Sequence, residues 1–321
     1  NCVDFCPRSF LGKNYFKTEN IYLAGSFLRP IYEQYFCNKK LIYHPTYYRN
    51  ILLRIIKIPK VITVHDMVHE IHPEYFAKEY RKKIRFYVGM KKNAIFNADH
   101  IICPSYSTKN DLLNVYRRLE NKRISVVHHG INDPWDFKDE ENGIKSSVKG
   151  NYILFVGSRN HYKGFENVFK AFLKLRKKIK DLKLICVGSK PSKKEKEEYR
   201  YSDLKNIIIY KQVNNFELQY LYKNALAFIY PSFYEGFGFP ILEAMANNCP
   251  VISTSISSSK EVGGEIPFFV DKFSADQIID RVLQIFYKEY DSSILKKGNL
   301  HAKKFTWKKC ALKTSKIYQN L

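Results

Sequence analysis

Two carboxylates with seven residues between them, Glu235 and Glu243, bracket the loop Glu235-Gly236-Phe237-Gly238-Phe239 and the helix predicted to follow it. The first turn of a helix leaves N–H groups unpaired and carries a positive dipole end, which suits a phosphate. A carboxylate beside such a site can accept two sugar or ribose hydroxyls side by side. The expected arrangement is a diphosphate at the helix start, with Glu235 on one side and Glu243 on the other. Arg159 and Lys163 flank a second turn, after Gly157 and Ser158. Arg can hold phosphate oxygens bidentately and Lys adds a mobile point charge, so both cations fit the same diphosphate. Taken singly, either glutamate is explained by a plain strand–loop–helix, and either cation by an exposed loop. The case for chemistry rests on their conjunction.

His65 is the remaining candidate. It ends the β-branched run 60–64, at the carboxyl end of a predicted strand, where ligands bind in open α/β sheets. A hydrogen-bonded core histidine is the simpler alternative. His69 and His72 invite a metal reading with it, since their spacing would suit one helix face. Pro73 and the preceding strand oppose that helix, and no metal site is expected.

Positioning these groups takes alternating strands and helices. Apolar runs at 100–103, 124–127, 151–156, 182–187, 206–210, 225–230, 251–254 and 268–270 read as strands. Helices are predicted over 76–96, 107–116 (capped by Ser105 or Ser107), 216–224, 274–288 and 293–304, with less regular signals for a helix at 20–36 and a strand at 41–45. Pro240 is expected at the first position of the helix carrying Glu243. The run 190–200 reads as solvated charge. Continuous β-branched strands alternating with helices imply a parallel sheet covered on both faces. The turn at Gly157 is not G-x-G-x-x-G and no Walker sequence occurs, which disfavours a dinucleotide dehydrogenase or an ATPase.

The chain has 321 residues, enough for two domains, and 45% of them are hydrophobic. No run of 18 apolar residues suggests a membrane span. The start, Asn-Cys-Val-Asp-Phe-Cys-Pro-Arg, has neither an initiator Met nor a charged-then-apolar leader, as expected of a fragment or trimmed chain. Seven scattered cysteines without C-x-x-C pairs read as reduced, cytoplasmic thiols. The 54 Lys and Arg exceed 31 Asp and Glu, a net charge of +23 that favours anionic partners. The 24 Tyr and 23 Phe are spread along the elements rather than grouped as base-stacking platforms. Lys78, Arg81, Lys82, Lys83, Arg85, Lys91 and Lys92 crowd the helix at 76–96, a candidate for contact with anionic lipid or simply a solvated face.

The segment E-G-F-G-F-P-I-L-E resembles the E-x7-E signature of the retaining, nucleotide-sugar-dependent glycosyltransferases of family 4 (group 1). V-I-T-V-H-D, V-G-S-R-x-x-Y-K, the stretch 257–264 and the terminal F-T-W resemble further motifs of that family in the same order. The resemblance implies a GT-B fold: two Rossmann-like domains facing across a cleft that holds the active site. The expected domains are an acceptor-side domain at 1–138, a nucleotide-sugar-binding domain at 139–304, and a terminal helix at 305–321 returning to the first domain. The family's first strand and acceptor loop are not recognisable, so the first domain is expected to lack its N-terminal strand.

By the same resemblance, Arg159, Lys163, Glu235 and His65 would be catalytic. Glu235 would position the donor sugar, Glu243 the ribose, and His65 would touch the sugar from the other domain. Gly157, Ser158, Val213, Gly236, Phe237, Gly238 and Phe239 would bind the donor with Glu243. Lys211 stands where the family often has Gly, and Lys260 where Pro is usual. The implied reaction is retaining transfer of a hexose, with mannose from GDP-mannose as the leading donor and a saccharide of a bacterial surface polysaccharide or lipopolysaccharide as acceptor. It implies no cofactor, a lipid-linked acceptor, and a cytoplasmic protein touching the inner membrane face. A truncated, inactive transferase and a basic nucleic-acid-binding protein on an α/β scaffold are the competing expectations.

Overall fold

The computed structural model describes residues 42–45, 48, 58–76, 78–132, 148, 150–159, 161–200, 205–210, 213–271 and 274–321. The expected helix at 20–36 lies outside these residues, as does most of the expected boundary region at 132–149. The chain divides into two compact units, Asn1–Val127 with Lys313–Leu321, and His128–Leu312.

In the first unit, β1 (Val61–Thr63), β2 (His100–Cys103) and β3 (Arg123–Val126) form a parallel sheet in the order β1-β2-β3. Among the described residues of the expected strand at 41–45, only Tyr43 pairs, in a parallel bridge to Lys60. The intervening helices are α1 (Val68–Ile71), α2 (Arg81–Asn97) and α3 (Tyr106–Val115). Ser105 rather than Ser107 caps α3: its hydroxyl accepts from Thr108 N at 3.0 Å, a contact worth about 1 kcal/mol. All of β1 is buried. Its covering layer brings Met67, Ala94, Ile95 and Leu112 against Ile62, Val64 and Ile101.

The second unit holds a six-stranded, all-parallel sheet in the order β6-β5-β4-β7-β8-β9. The chain runs β4 (Tyr152–Val156), α4 (Phe165–Leu175), β5 (Lys183–Val187), α5 (Lys193–Tyr199), β6 (Ile207–Tyr210) and α6 (Asn215–Asn224). It continues β7 (Ala227–Tyr230), α7 (Phe239–Ala246), β8 (Val251–Thr254), α8 (Ser258–Gly263) and β9 (Phe268–Val270). Helices α9 (Ala275–Phe286), α10 (Ser293–Ala302) and α11 (Trp307–Gln319) close the chain. One face packs Phe165, Val168, Phe172 and Leu175 of α4 with Ile278, Val282 and Ile285 of α9. The other packs Leu221 and Tyr222 with Ile241, Leu242 and Met245 of α7. The two strands flanking the sheet's midline, β4 and β7, run out to opposite sides of the sheet in sequence order. Such a switch point leaves a crevice beyond their carboxyl ends.

Candidate functional site

The turns after β4 and β7 are forced together by the backbone. Gly164 has φ +70°, and a Cβ there would lie 2.3 Å from the Pro231 carbonyl oxygen, so the start of α4 abuts the end of β7 directly. The contact continues as Phe233 N donates to the Tyr162 carbonyl at 2.7 Å. It brings Lys163 to Glu235 across 72 positions of sequence: Nζ donates to Oε1 at 2.6 Å. Their side chains are only 16% and 12% exposed. Lys163 Nζ also lies 5.0 Å from the Tyr162 ring centre and 5.8 Å from that of Tyr230, so the ammonium is largely shielded from water.

Glu235 sits on a fixed main chain. Ser257 Oγ accepts from Glu235 N at 3.2 Å and donates to its carbonyl at 2.6 Å. Ser258 Oγ lies 2.9 Å from both the Glu235 and Phe237 carbonyls. Ser257 itself has φ +55°, a strained geometry that persists only where the surroundings hold it. Gly236 leads to Phe237, which is buried among the rings of His128, His129, Phe239 and Phe305. Gly238, at φ +100°, precedes α7, whose first residue is Phe239. Pro240 therefore stands second rather than first, still within the turn whose N–H groups have no helical partner.

One turn into α7, Glu243 points inward. Tyr222 OH donates to its Oε2 at 3.1 Å. Burial raises the carboxyl pKa and the Tyr222 hydrogen bond partly offsets this. Burial, and then the Glu235 carboxylate, push the Tyr230 phenol well above its ordinary range.

Arg159, expected to face the diphosphate, is instead held by groups of its own unit. Its side chain is 1% exposed and its Nε donates to Glu195. Nη2 donates to the Ser189 carbonyl at 2.5 Å, and the guanidinium lies over the Phe165 ring. Nη1 is buried without a partner among the described residues. Gly157 (φ +134°) donates to the Val187 carbonyl at 2.9 Å, and Ser158, half-buried, leads from it to Arg159. Val213 packs against the core containing Tyr222 and Met245, while Lys211 lies outside the described residues.

In the first unit, His65 follows β1 with its side chain exposed. Its N–H donates to Tyr48 OH at 3.2 Å. The surrounding protein lowers its pKa; the Asp66 carboxylate works against that shift and Lys91 adds to it. His69 stacks on Phe76 and leans on Tyr87. Among the described residues no group of His, Cys, Asp and Glu could hold a metal.

The structure thus joins Lys163, Glu235 and the α7 start, sets Glu243 behind them, and turns Arg159 toward α5. Sequence reasoning missed Glu195, Ser257 and Ser258 as supports. Glu195 had a signal: Ser192-x-x-Glu195 is a capping box, and both of its hydrogen bonds are present.

A family profile described as glycosyl transferases group 1 matches residues 136–299, half of the chain. The chain belongs to the group 1 glycosyl transferases. A second profile, glycosyltransferase family 4, matches residues 17–134 of this group 1 chain. The chain is similar to the O-antigen chain mannosyltransferase RfbU of Salmonella typhimurium, with 32% identity over 231 residues, which cover 71% of this chain and 59% of that protein. It spans about three fifths of the length of the curated relatives it first matches. Its fold is that of the sucrose-phosphate synthase from Thermosynechococcus elongatus: TM-score 0.71, 20% identity, 95% of this chain and 80% of that chain. Anabaena HepE in complex with UDP-glucose shares it, at TM-score 0.68 and 15% identity over 87% of this chain and 79% of that one. The group 1 chain is an α/β protein with two Rossmann-like sheets of the GT-B type.

Proposed function

We propose that the chain is a retaining hexosyltransferase that takes mannose from GDP-mannose to a saccharide acceptor in surface-polysaccharide synthesis. The observation that carries this reading is the shielded Lys163–Glu235 pair beside the start of α7, at the switch point of the sheet. A diphosphate placed there meets the positive end of α7 and the Lys163 ammonium. Glu235 then exchanges its ion pair for the hydroxyls of the donor sugar, and Glu243, one helical turn on, takes the ribose. The name of the Salmonella relative supports mannose and an O-antigen type of acceptor. The nucleotide sugar bound by the Anabaena protein supports the class of donor.

In the reaction the bond from the anomeric carbon to the diphosphate oxygen breaks, the acceptor oxygen replaces it on the same face, and the acceptor's hydroxyl proton passes to the departing diphosphate oxygen. Charge accumulates on the departing diphosphate. Stabilising it there is the task of Lys163 and the start of α7, and preorganised groups of this kind are usually the largest catalytic term; Arg159 joins them only by exchanging Glu195 and the Ser189 carbonyl for the diphosphate. His65 is assigned to the donor sugar. The acceptor is assigned to the membrane face. Lys78, Arg81, Lys82, Lys83, Arg85 and Lys92 are exposed, and Tyr80 and Phe86 among them are 50% and 66% exposed. Cations interleaved with exposed aromatics suit anionic lipid. No helix among the described residues is long and apolar enough to cross a membrane.

A thermal-shift series with GDP, GDP-mannose, UDP and UDP-glucose, without added metal, tests the reading. The expected result is stabilisation by the guanine pair that is lost in Lys163→Ala. Folded protein that none of the four stabilises would refute it.

A further inference from the structure

Lys91 is the one lysine buried among the described residues, at 1% exposure, on a helix whose other cations face solvent. Its Nζ donates to the Asp66 carbonyl at 2.5 Å and to Glu70 Oε2 at 2.9 Å, and lies 4.0 Å from Asp66 Oδ1. Glu70 is 3% exposed, and its other oxygen has no partner among the described residues. A buried pair left with an unsatisfied oxygen is a poor source of stability, and apolar residues of similar volume usually serve as well or better. What the pair does accomplish is location. It fixes the carbonyl of Asp66, immediately after His65. On the other side Tyr48 OH fixes the His65 N–H, and the same Nζ lies 5.8 Å from the centre of the Tyr48 ring. Asp66 Oδ1 accepts from Val68 N at 3.2 Å and closes the turn into α1. The main chain is pinned on both sides of His65, itself an exposed residue.

We infer that Lys91 is a positioning residue for His65: through the Asp66 carbonyl and the Glu70 carboxylate it holds the turn between β1 and α1 so that the imidazole is presented in one orientation beyond the carboxyl end of β1. The inference rests on the assignment of His65 to the donor sugar. The groups acting on the His65 ring include Asp66 and Lys91, and His65 in turn acts on His44.

The experiment compares Lys91→Met, the double variant Lys91→Met/Glu70→Leu, and His65→Ala in the full chain. The double variant removes both charges, so its Tm is expected to stay near that of the parent. Its kcat with the nucleotide sugar should fall at least about tenfold, because a displacement near 1 Å can cost about a hundredfold. Donor KM should change by less than about twofold. The ring resonances of His65 should move and titrate at higher pH, since a neighbouring cation is gone while Asp66 remains. A folded double variant with parental kcat and an unmoved His65 resonance would overturn the inference. Should His65→Ala keep full turnover, the assignment of His65 to the sugar fails, and the resonance alone then decides whether Lys91 holds it. A loss of Tm in Lys91→Met that the double variant restores, with kcat still low, separates positioning from stability.

Discussion

Replacing Glu235 with Gln should make the protein bind a bare nucleoside diphosphate more tightly while making it a worse transferase. In the free protein the Lys163 charge is already engaged, 2.6 Å from Glu235 Oε1. An incoming diphosphate must compete with that carboxylate and also approach its negative charge. Exposed ion pairs are worth up to about 1 kcal/mol and buried ones several times more when one partner is removed. With side chains 16% and 12% exposed, this pair falls between the two, at about 1–2 kcal/mol. Releasing Lys163 should therefore tighten GDP binding roughly 5–30-fold. Gln keeps the volume and the fixed main chain, held by Ser257 and Ser258, but grips sugar hydroxyls with one acceptor in place of two. Turnover with the nucleotide sugar should fall about a hundredfold from lost positioning. Calorimetry with GDP and a product-release assay with GDP-mannose read the two effects separately. Unchanged or weaker GDP binding by folded Glu235→Gln would refute the idea that the pair and the diphosphate compete for one cation.

Arg159→Ala should lower turnover roughly 10²–10³-fold. It should also destabilise the fold by about 3 kcal/mol, because Glu195 loses its partner; adding Glu195→Gln, which removes the unpaired charge and keeps an acceptor for the Ser192 N–H, should recover part of the Tm but not turnover. His44, bonded to Tyr318 OH at 2.6 Å and Thr63 Oγ1 at 2.9 Å, has its pKa lowered from 6.5 to about 4, mainly by burial. A depressed folded pKa gives stability that is present above pH 6.5 and lost as pH falls toward 4, at most about 3 kcal/mol. Tm measured between pH 7 and 4.5 should therefore fall more steeply for the parent than for His44→Gln. Co-sedimentation with phosphatidylserine-containing vesicles should drop with rising salt and in Arg85→Glu and Phe86→Ser; binding indifferent to both would remove the membrane assignment.

The strand–helix alternation could be read from the chain because both sheets are parallel, and most strands are continuous apolar runs such as Ile207–Tyr210 or Ala227–Tyr230. The glutamates and glycines of the 235–243 segment were legible for a similar reason: their spacing is local. The pairings were not. Lys163 meets Glu235 only because Gly164 and Pro231 touch, and Lys91 meets Asp66 and Glu70 only because α2 lies against the β1–α1 turn. Nothing in a basic helix distinguishes the one inward lysine from its neighbours until the packing is known. Arg159 misled in the opposite direction: the charged run at 190–200 looked solvated, yet it supplies the carboxylate that holds the guanidinium.

The contact at Gly164 has a consequence for anyone redesigning this crevice. The separation of the two charged groups is set by main chain touching main chain. Side chains around the crevice can therefore be randomised without changing that gauge, while Gly164 and Pro231 have to be left untouched and position 233 has to keep the N–H that proline lacks. A library that respects those three positions explores new substrates at constant geometry; one that varies them mostly samples broken frames.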